Sequence, residues 1–319
     1  MTTLFNKDAL QGRMLFAIPK KGRLYEKCLE LLSGADIQFR RQNRLDVALV
    51  MNHPMALVFL PAADIPRFVG EGNVDLGITG QDMVVESGLA DLVAEEMELG
   101  FGKCKLQVQV PEVDEELQTV EALVGKKVAT SFDVLSRKYF GDLDAQVNEK
   151  RRREAQAQGR EVELLETKIE YVGGSVEAAC ALGVADGIVD LVESGETMRA
   201  CGLHAIATLL SSQAVLIRPV TPHARSNQAL IKLIVSRIRG VMAAAQYVLC
   251  QYNIHRSNLD AALAITPGRR AATVSPLEDD GWSAVSAMVK KSEVATVMDR
   301  LEEVGGKDIF TLALDNCRT

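Results

Sequence analysis

The chain has 319 residues, 47% hydrophobic and 25% charged, with a formal net charge of −7 at pH 7. That length suits two or three domains with a large core, and the composition is that of a folded chain rather than a disordered one. The acidic balance argues against a general nucleic-acid binder, and no apolar run reaches the ~18–20 residues of a membrane span. The polar start, Met1 to Arg13, lacks the character of a signal or transit peptide, so a cytoplasmic protein is expected. Six cysteines without a C-x-x-C pair point to reduced thiols rather than disulfides or zinc, and the four histidines are too scattered to share a chemical role.

Along the chain, Met14 to Pro19 reads as a buried first strand, followed by Lys20-Lys21-Gly22-Arg23 and an amphipathic helix to about Gly34. Strand-like runs at Leu45 to Val50 and Ala56 to Leu60 flank the turn Asn52-His53-Pro54. Asp64-Ile65-Pro66 starts a helix with an early proline, and Val74 to Asp82 is a strand entering a glycine turn and another helix. Strands alternating with helices predict parallel α/β layers. Cys104 to Pro111 crosses into a second α/β unit: strand Lys127 to Thr130, helix Asp133 to Phe140, strand Val162 to Val172, helix Ser175 to Leu182, strand Ile188 to Val192. The charged stretch Asn148 to Arg160 interleaves acids with bases and has no aromatics, so it reads as a solvated helix or surface insertion. Ala214 to Ile217 returns as a strand, and Pro219 to Asn227 reads as a linker.

Beyond it, Leu230, Leu233, Ile234, Ile238, Val241 and Met242 mark one side of a helix. The remainder reads strand (Tyr247 to Asn253), helix (Ser257 to Ala264), strands (Ala272 to Ser275, Trp282 to Val289), helix (Glu293 to Val304), strand (Lys307 to Leu314). This βαββαβ order predicts a ferredoxin-like module, of a kind that often binds amino acids or mediates assembly. The expected domains are therefore lobe I (1–103 and 193–222), lobe II (104–192) and a C-terminal module (226–319).

Asp186 to Arg199 is the most informative stretch. An apolar strand ends in a carboxylate, Asp190, and a Ser/Gly/Thr turn then opens a helix, so main-chain N–H groups and the Ser194 and Thr197 hydroxyls gather where an anion is favoured. Gly195 permits close approach of the backbone. Asp190 and Glu193 suit ribose hydroxyls or an Mg²⁺ on a pyrophosphate, as in sites for 5-phosphoribosyl 1-pyrophosphate. A strand–turn–helix with a hydroxyl cap is also ordinary architecture.

Several stretches together resemble the long-form ATP phosphoribosyltransferase family, the first enzymes of histidine biosynthesis. They are Ala17 to Leu24, Asp64-Ile65-Pro66, Gly72 to Asp82, Gly102-Lys103-Cys104-Lys105-Leu106, Gly174 to Glu177, Asp190 to Met198, Thr266 to Arg270 and Thr273 to Leu277. The resemblance runs from about residue 13 to the C-terminus. It implies a bilobal core like a periplasmic binding protein, an Mg²⁺ requirement, feedback inhibition by histidine at the third domain, and assembly between dimers and hexamers. A separate regulatory subunit is not implied. The family reaction joins N1 of the ATP adenine to C1 of the phosphoribosyl group and expels pyrophosphate.

On this resemblance, Asp190, Glu193, Ser194, Gly195, Glu196, Thr197 and Met198 hold the phosphoribosyl donor, with Asp190 near the ribose hydroxyls. Lys21 and Arg23 are candidates for neutralising pyrophosphate. Asp75, Thr79, Gly80, Asp82 and Glu177 are the candidates for the ATP side, although Thr79 and Asp82 also suit helix caps and Glu177 suits either a cap or contact with a ribose. Asn253, Thr273, Met288 and Asp308 are the candidate histidine site, and Asp190 and Glu193 the candidate metal ligands. Two departures from the family stand out: Pro61-Ala62-Ala63 replaces a stretch that often carries arginine, so that cation is either missing or supplied elsewhere, with Arg67 and Arg44 as candidates; and Glu196 places a carboxylate in the phosphate loop. The rival reading is a non-catalytic small-molecule binder or sensor of the same bilobal fold.

Overall fold

The computed structural model describes residues 10–42 and 45–318. They fall into two compact units: Met1–Cys28, Arg40–Val50 and Pro54–Ser226 form the first, and Leu29–Phe39, Met51–His53 and Asn227–Thr319 the second. No helix among the described residues is long and apolar enough to cross a membrane.

The first unit opens with β1 (Met14–Pro19), buried along almost its whole length as a central parallel strand must be, then α1 (Tyr25–Gly34), whose later residues are counted with the second unit. It continues through β2 (Val47–Leu49), β3 (Met55–Leu60), α2 (Ile65–Gly70), β4 (Leu76–Gly80), α3 (Gln81–Glu86) and β5 (Val93–Glu98). The second lobe comprises β6 (Cys104–Pro111), β7 (Lys127–Thr130), α4 (Asp133–Ala157), β8 (Lys168–Tyr171), β9 (Gly187–Val192), α5 (Glu196–Ala200) and β10 (Leu203–Ser212), before β11 (Ala214–Pro219) returns to the first. A six-stranded sheet ordered β2-β3-β1-β4-β11-β5 builds lobe I, and a five-stranded sheet ordered β10-β6-β9-β7-β8 builds lobe II. Both are mixed rather than parallel: β11 runs antiparallel to β4 and β5, and β6 antiparallel to β9 and β10.

Strand β10 moves the return point of the chain. It pairs with β6 in the lobe II sheet, so the chain leaves lobe II between Ser212 and Ala214, not at residue 193. Its sequence, LHAIATLLSS, lacks a clean alternation, and two register shifts against β6 explain why. Helix α4 runs 25 residues, absorbing the charged stretch, where Arg153 pairs with Glu149 at 2.9 Å. Gly141, which would normally weaken a helix, sits in open space within it. The expected strand at Val162 to Val172 shortens to β8, and the expected helix at Ser175 is a single 3₁₀ turn at Val176–Ala178, because Ser175 is held at φ +53°.

In the second unit, Asn227 caps α6 (Gln228–Gln246) by accepting from the Leu230 N–H at 3.1 Å. Its buried face is Leu230, Ile231, Ile234, Val235 and Ile238, while Leu233 points outward at 43% exposure. There follow β12 (Tyr247–His255), α7 (Leu259–Ile265), β13 (Thr273–Pro276), β14 (Trp282–Lys290), α8 (Val294–Glu303) and β15 (Lys307–Ala313). The antiparallel order β13-β14-β12-β15 is ferredoxin-like. Its core sets Cys250, Tyr252, Ile254 and Val285 against Ala262, Val297 and Leu301. Residues 29–39 join this unit through Arg237, whose guanidinium reaches the Ala35 and Asp36 carbonyls at 3.2 Å, and through Val241, which packs at Gly34.

Helix α2 lies so close to β4 that a Cβ on Gly77 would meet Ile65 Cγ2 at 2.7 Å and Val69 Cγ2 at 2.9 Å. Gly77→Ala is therefore expected to cost about 1–3 kcal/mol by overpacking, read as a lower midpoint in urea denaturation; an unchanged midpoint would show that the helix can lift away.

Candidate functional site

At the end of β9 the chain turns through Gly195, whose φ of +76° only glycine adopts without strain, into the short helix α5. The Ser194 hydroxyl accepts from the Glu196 N–H at 3.3 Å. A cavity of about 330 Å³ opens against this turn, lined by Gln109, Glu177, Asp190 and every residue from Leu191 to Met198. The loop candidates Asp190, Glu193, Ser194, Gly195, Glu196, Thr197 and Met198 thus share one concavity. With only five residues, α5 contributes oriented N–H groups more than a macrodipole.

Asp190 is half-buried, and its Oδ1 accepts from the Leu191 N–H at 2.8 Å. Burial pushes its pKa above the usual carboxylate value, the Leu191 N–H opposes the rise, and the Glu177 charge adds to it. Glu177 therefore belongs with Asp190 rather than apart from it on an ATP side. Among the described residues no group of three or more His, Cys, Asp or Glu side chains is arranged to hold a metal by itself. The Asp190–Glu177 repulsion is nonetheless of the kind a divalent cation relieves, and Mg²⁺ commonly binds through one or two carboxylates plus substrate phosphates.

Arg23, just before α1, reaches across the lobes. Its Nη1 donates to the Gly102 carbonyl and to Glu193 Oε1, both at 3.1 Å, and its Nη2 lies 3.9 Å from Asp82 Oδ2. Burial disfavours its charge, yet the acceptors Cys104, Asp82 and Glu193 outweigh that and hold its pKa above the ordinary value. Glu193, a candidate metal ligand, is thus engaged by a guanidinium. Lys21, beside Gly22 at φ +88°, is exposed.

The other candidates on the ATP side have internal partners. Asp75 is 3% exposed; it accepts from the Leu15 N–H at 2.8 Å and from the Ser226 hydroxyl, at the N-terminal end of β4. Thr79, fully buried, donates to the Ala62 carbonyl at 2.8 Å and so pins the Pro61-Ala62-Ala63 turn. Asp82 is 1% exposed; its Oδ1 accepts from the Ser212 hydroxyl at 2.5 Å, and the Ser212 oxygen accepts from the Asp82 N–H at 3.0 Å. The carboxylate lies where a Cβ on Gly80 would be, which is why Gly80 must lack one. Asp82 Oδ2 has no hydrogen-bond partner. Asp75 and Thr79 are accordingly placed as structural ties, with no side-chain oxygen presented to the cleft. Of the substitutes for the missing arginine, Arg67 pairs with Glu71 at 2.8 Å and Arg44 lies outside the described residues.

Sequence reading missed Ser212 and Cys104. They face each other where β10 and β6 cross between the lobes, joined by pairs such as Leu99 N–H to the Ala214 carbonyl at 2.9 Å. A second cavity of about 500 Å³ lies beside them, lined by Lys103, Lys105, Arg199 and loop residues.

In the second unit, Asn253 Nδ2 donates to Asp308 Oδ2 at 2.9 Å. Strand register puts Thr273 and Met288 on the same sheet face as Asn253, but on neighbouring strands, and Met288 lines a separate cavity with Thr266, Pro267, Gly268 and Arg269.

The fold defines a two-lobed α/β protein, with a cavity at the turn between β9 and α5, and a ferredoxin-like C-terminal module. The family model described as ATP phosphoribosyltransferase matches residues 61–240, and the model for the HisG C-terminal domain matches residues 244–316. The ATP phosphoribosyltransferase of Yarrowia lipolytica is 56% identical over 309 residues, covering 97% of this chain and 98% of that one. That of Saccharomyces cerevisiae is 52% identical over 310 residues, covering 97% and 98%. The HisG:HisZ ATP phosphoribosyl transferase complex of Thermotoga maritima superposes with a TM-score of 0.53 at 20% identity, over 71% of this chain and 98% of that one, which supports the fold. The chain belongs to the ATP phosphoribosyltransferase family and is a transferase.

Replacing Asp190 with asparagine separates its functional role from its electrostatic cost. A carboxylate whose folded pKa is raised destabilises the native state above that pKa, and the penalty vanishes below the unfolded value of about 4. Asp190→Asn should therefore melt at a higher temperature than the parent at pH 7 and at the same temperature below about pH 4, while kcat/KM at pH 7 falls on the order of 10²-fold. A lower melting temperature at neutral pH would contradict the assignment of the strain.

Proposed function

We propose that the cleft beside residues 190–198 binds 5-phosphoribosyl 1-pyrophosphate and ATP and joins them. N1 of the adenine forms a bond to C1 of the ribose as the C1–O bond to pyrophosphate breaks, giving 1-(5-phosphoribosyl)-ATP and pyrophosphate, the first step of histidine biosynthesis. The observation that carries this reading is the Gly195 turn: a positive-φ glycine lining a cavity of about 330 Å³, with successive N–H groups and two hydroxyls for the donor's 5-phosphate.

Displacement at an anomeric carbon requires no protein nucleophile, because the attacking nitrogen belongs to the substrate. It requires orientation and relief of charge at an oxocarbenium-like centre and a departing pyrophosphate. In this reading Asp190 meets the ribose hydroxyls, and Arg23 the pyrophosphate once Glu193 is exchanged for substrate. Mg²⁺ carried on the substrate's phosphates, with Asp190 as its protein carboxylate, would supply further neutralisation of the leaving group. Purified protein given ATP, the phosphoribosyl donor and Mg²⁺ should release pyrophosphate and form an adduct with altered ultraviolet absorbance. Binding of one ligand without turnover would instead favour the sensor reading. Gly195→Val, which forces a side chain into a positive φ and against Arg199 Nη1, should raise the donor KM by at least about tenfold.

Feedback inhibition by histidine is assigned to the ferredoxin-like unit, where the Asn253–Asp308 pair offers groups for an amino acid's ammonium and carboxylate. Assembly into dimers and hexamers is supported by the outward sheet face, where Phe310 and Leu312 are 45% and 49% exposed. Deleting residues 227–319 would also strip Gly34 and Asp36 of Val241 and Arg237, so point changes are the cleaner test. The double change Asn253→Ala with Asp308→Ala should raise the histidine concentration for half-inhibition by at least about tenfold while uninhibited turnover persists. Unchanged inhibition would move the effector site elsewhere.

A further inference from the structure

The loop divides two cavities of opposite charge. On the Asp190 side, the described lining residues include four carboxylates, Glu177, Asp190, Glu193 and Glu196, and no lysine or arginine. On the other side, the cavity of about 500 Å³ is lined by Lys103, Lys105 and Arg199 against the single carboxylate Glu193. Its remaining polar lining is uncharged: Gln81, Gln107, Gln213, Ser211 and Ser212, with Ser194 contributed by the loop.

Strand geometry makes this concentration of cations. Along β6 and the residue before it, Cys104 and Leu106 are buried while Lys103 and Lys105 are exposed, the alternation of a strand with one face in the core. Lys105 stands opposite Val192 of β9 on one side and Ser211 of β10 on the other, inside the sheet rather than at its rim. Neither lysine has an ion-pair partner among the described residues. Arg199 closes the third side: its Nη2 donates to the Ser194 carbonyl at 3.2 Å, which draws its guanidinium back over the Gly195 turn. Like charges gathered in one concavity repel unless an anion completes the set. Arg23 cannot take that role unaided, because Glu193 and Asp82 already offset its charge.

We propose that Lys103, Lys105 and Arg199 form the subsite for a polyphosphate chain, with the acidic cavity across the loop receiving ribose hydroxyls. This rests on the phosphoribosyl-transfer reading and deepens it. It also supplies the cation missing at Pro61-Ala62-Ala63, through a strand on the opposite lobe. A polyphosphate reaches this cleft from two sources, the donor's pyrophosphate and the nucleotide's triphosphate, and both present the same chemistry to ammonium and guanidinium groups.

The test uses the full chain, with inorganic pyrophosphate as the probe, in equilibrium titration of the parent, Lys105→Gln, Lys103→Gln with Lys105→Gln, and Lys105→Arg. Pyrophosphate affinity should fall on the order of tenfold per lysine removed, its salt dependence should flatten in step, and Lys105→Arg should retain it. Steady-state KM then identifies the source: a rise for the phosphoribosyl donor alone assigns the donor's pyrophosphate, and a rise for ATP alone assigns the triphosphate. A rise for both assigns a subsite shared by the two. Unchanged pyrophosphate affinity in the double variant, with its circular dichroism and denaturation midpoint intact, overturns the proposal. Direct titration reads the subsite without turnover, so its failure is distinguishable from failure of the reaction assignment.

Discussion

The buried carboxylate of Asp82 is the constraint on which the cleft depends. Burying a charge is costly unless it is paired or hydrogen-bonded, and here the crossing meets one oxygen while the other has only the Arg23 charge near it. Ser212, the last residue of β10, both donates to the carboxylate and accepts from the Asp82 backbone, and it stands in register with Cys104, the first residue of β6. One side chain of lobe I therefore fixes both strands that leave it. Its second oxygen lies 3.9 Å from the Arg23 guanidinium, which extends to Glu193 on the phosphate loop of lobe II. Gly80 is needed because the carboxylate lies where its Cβ would be. A short run of residues thus ties hinge, cation and loop into one arrangement.

Much of this was legible in the sequence because it is local. The strand–Gly–helix pattern at 187–200, the apolar first strand and the βαββαβ order of the last third each depend on neighbours within a dozen residues. What escaped reading is long-range. Strand β5 has the helix-favouring sequence VAEEME and becomes a strand because β11 pairs with it at the sheet edge. Strand β10 has a bulged register and no alternation to read. The partnership of residues 29–39 with the C-terminal unit rests on Arg237 and Val241, some two hundred positions away. Within the site, Asp82 and Thr79 carried the right residue types for ligand contact, and only the fold shows them bound to Ser212 and Ala62.

A chain of net charge −7 meets polyanionic substrates by sorting its charges rather than by becoming basic. The sorting follows the two-residue period of a strand: on β6 the core takes Cys104, Leu106 and Val108, and Lys105 between them, like Lys103 just before the strand, is left exposed. The carboxylates of 190–196 line the cavity on the far side of the same loop, where in the proposed mode they suit the sugar hydroxyls and the N–H groups of the Gly195 turn are left for the 5-phosphate. Glu196, out of place in a phosphate loop, belongs to that acidic side.

This arrangement fits a reaction in which the protein contributes position more than chemistry. Burial pushes the Cys28 and Cys180 thiols up to about 12 and 11, so neither is a thiolate nucleophile near neutral pH. A five-residue helix lends little macrodipole, so in the proposed binding mode individual N–H groups, presented by a glycine at positive φ, would meet the donor's phosphate. The side chains that the proposed reaction would use are contributed by both lobes, Arg23 from the segment before α1 and Asp190 from β9, and Arg23 already joins the two through Glu193 at 3.1 Å. That ion pair is partly exposed, with Glu193 about half open to solvent, so its attraction is screened and an anion of higher charge would compete with Glu193 for the guanidinium.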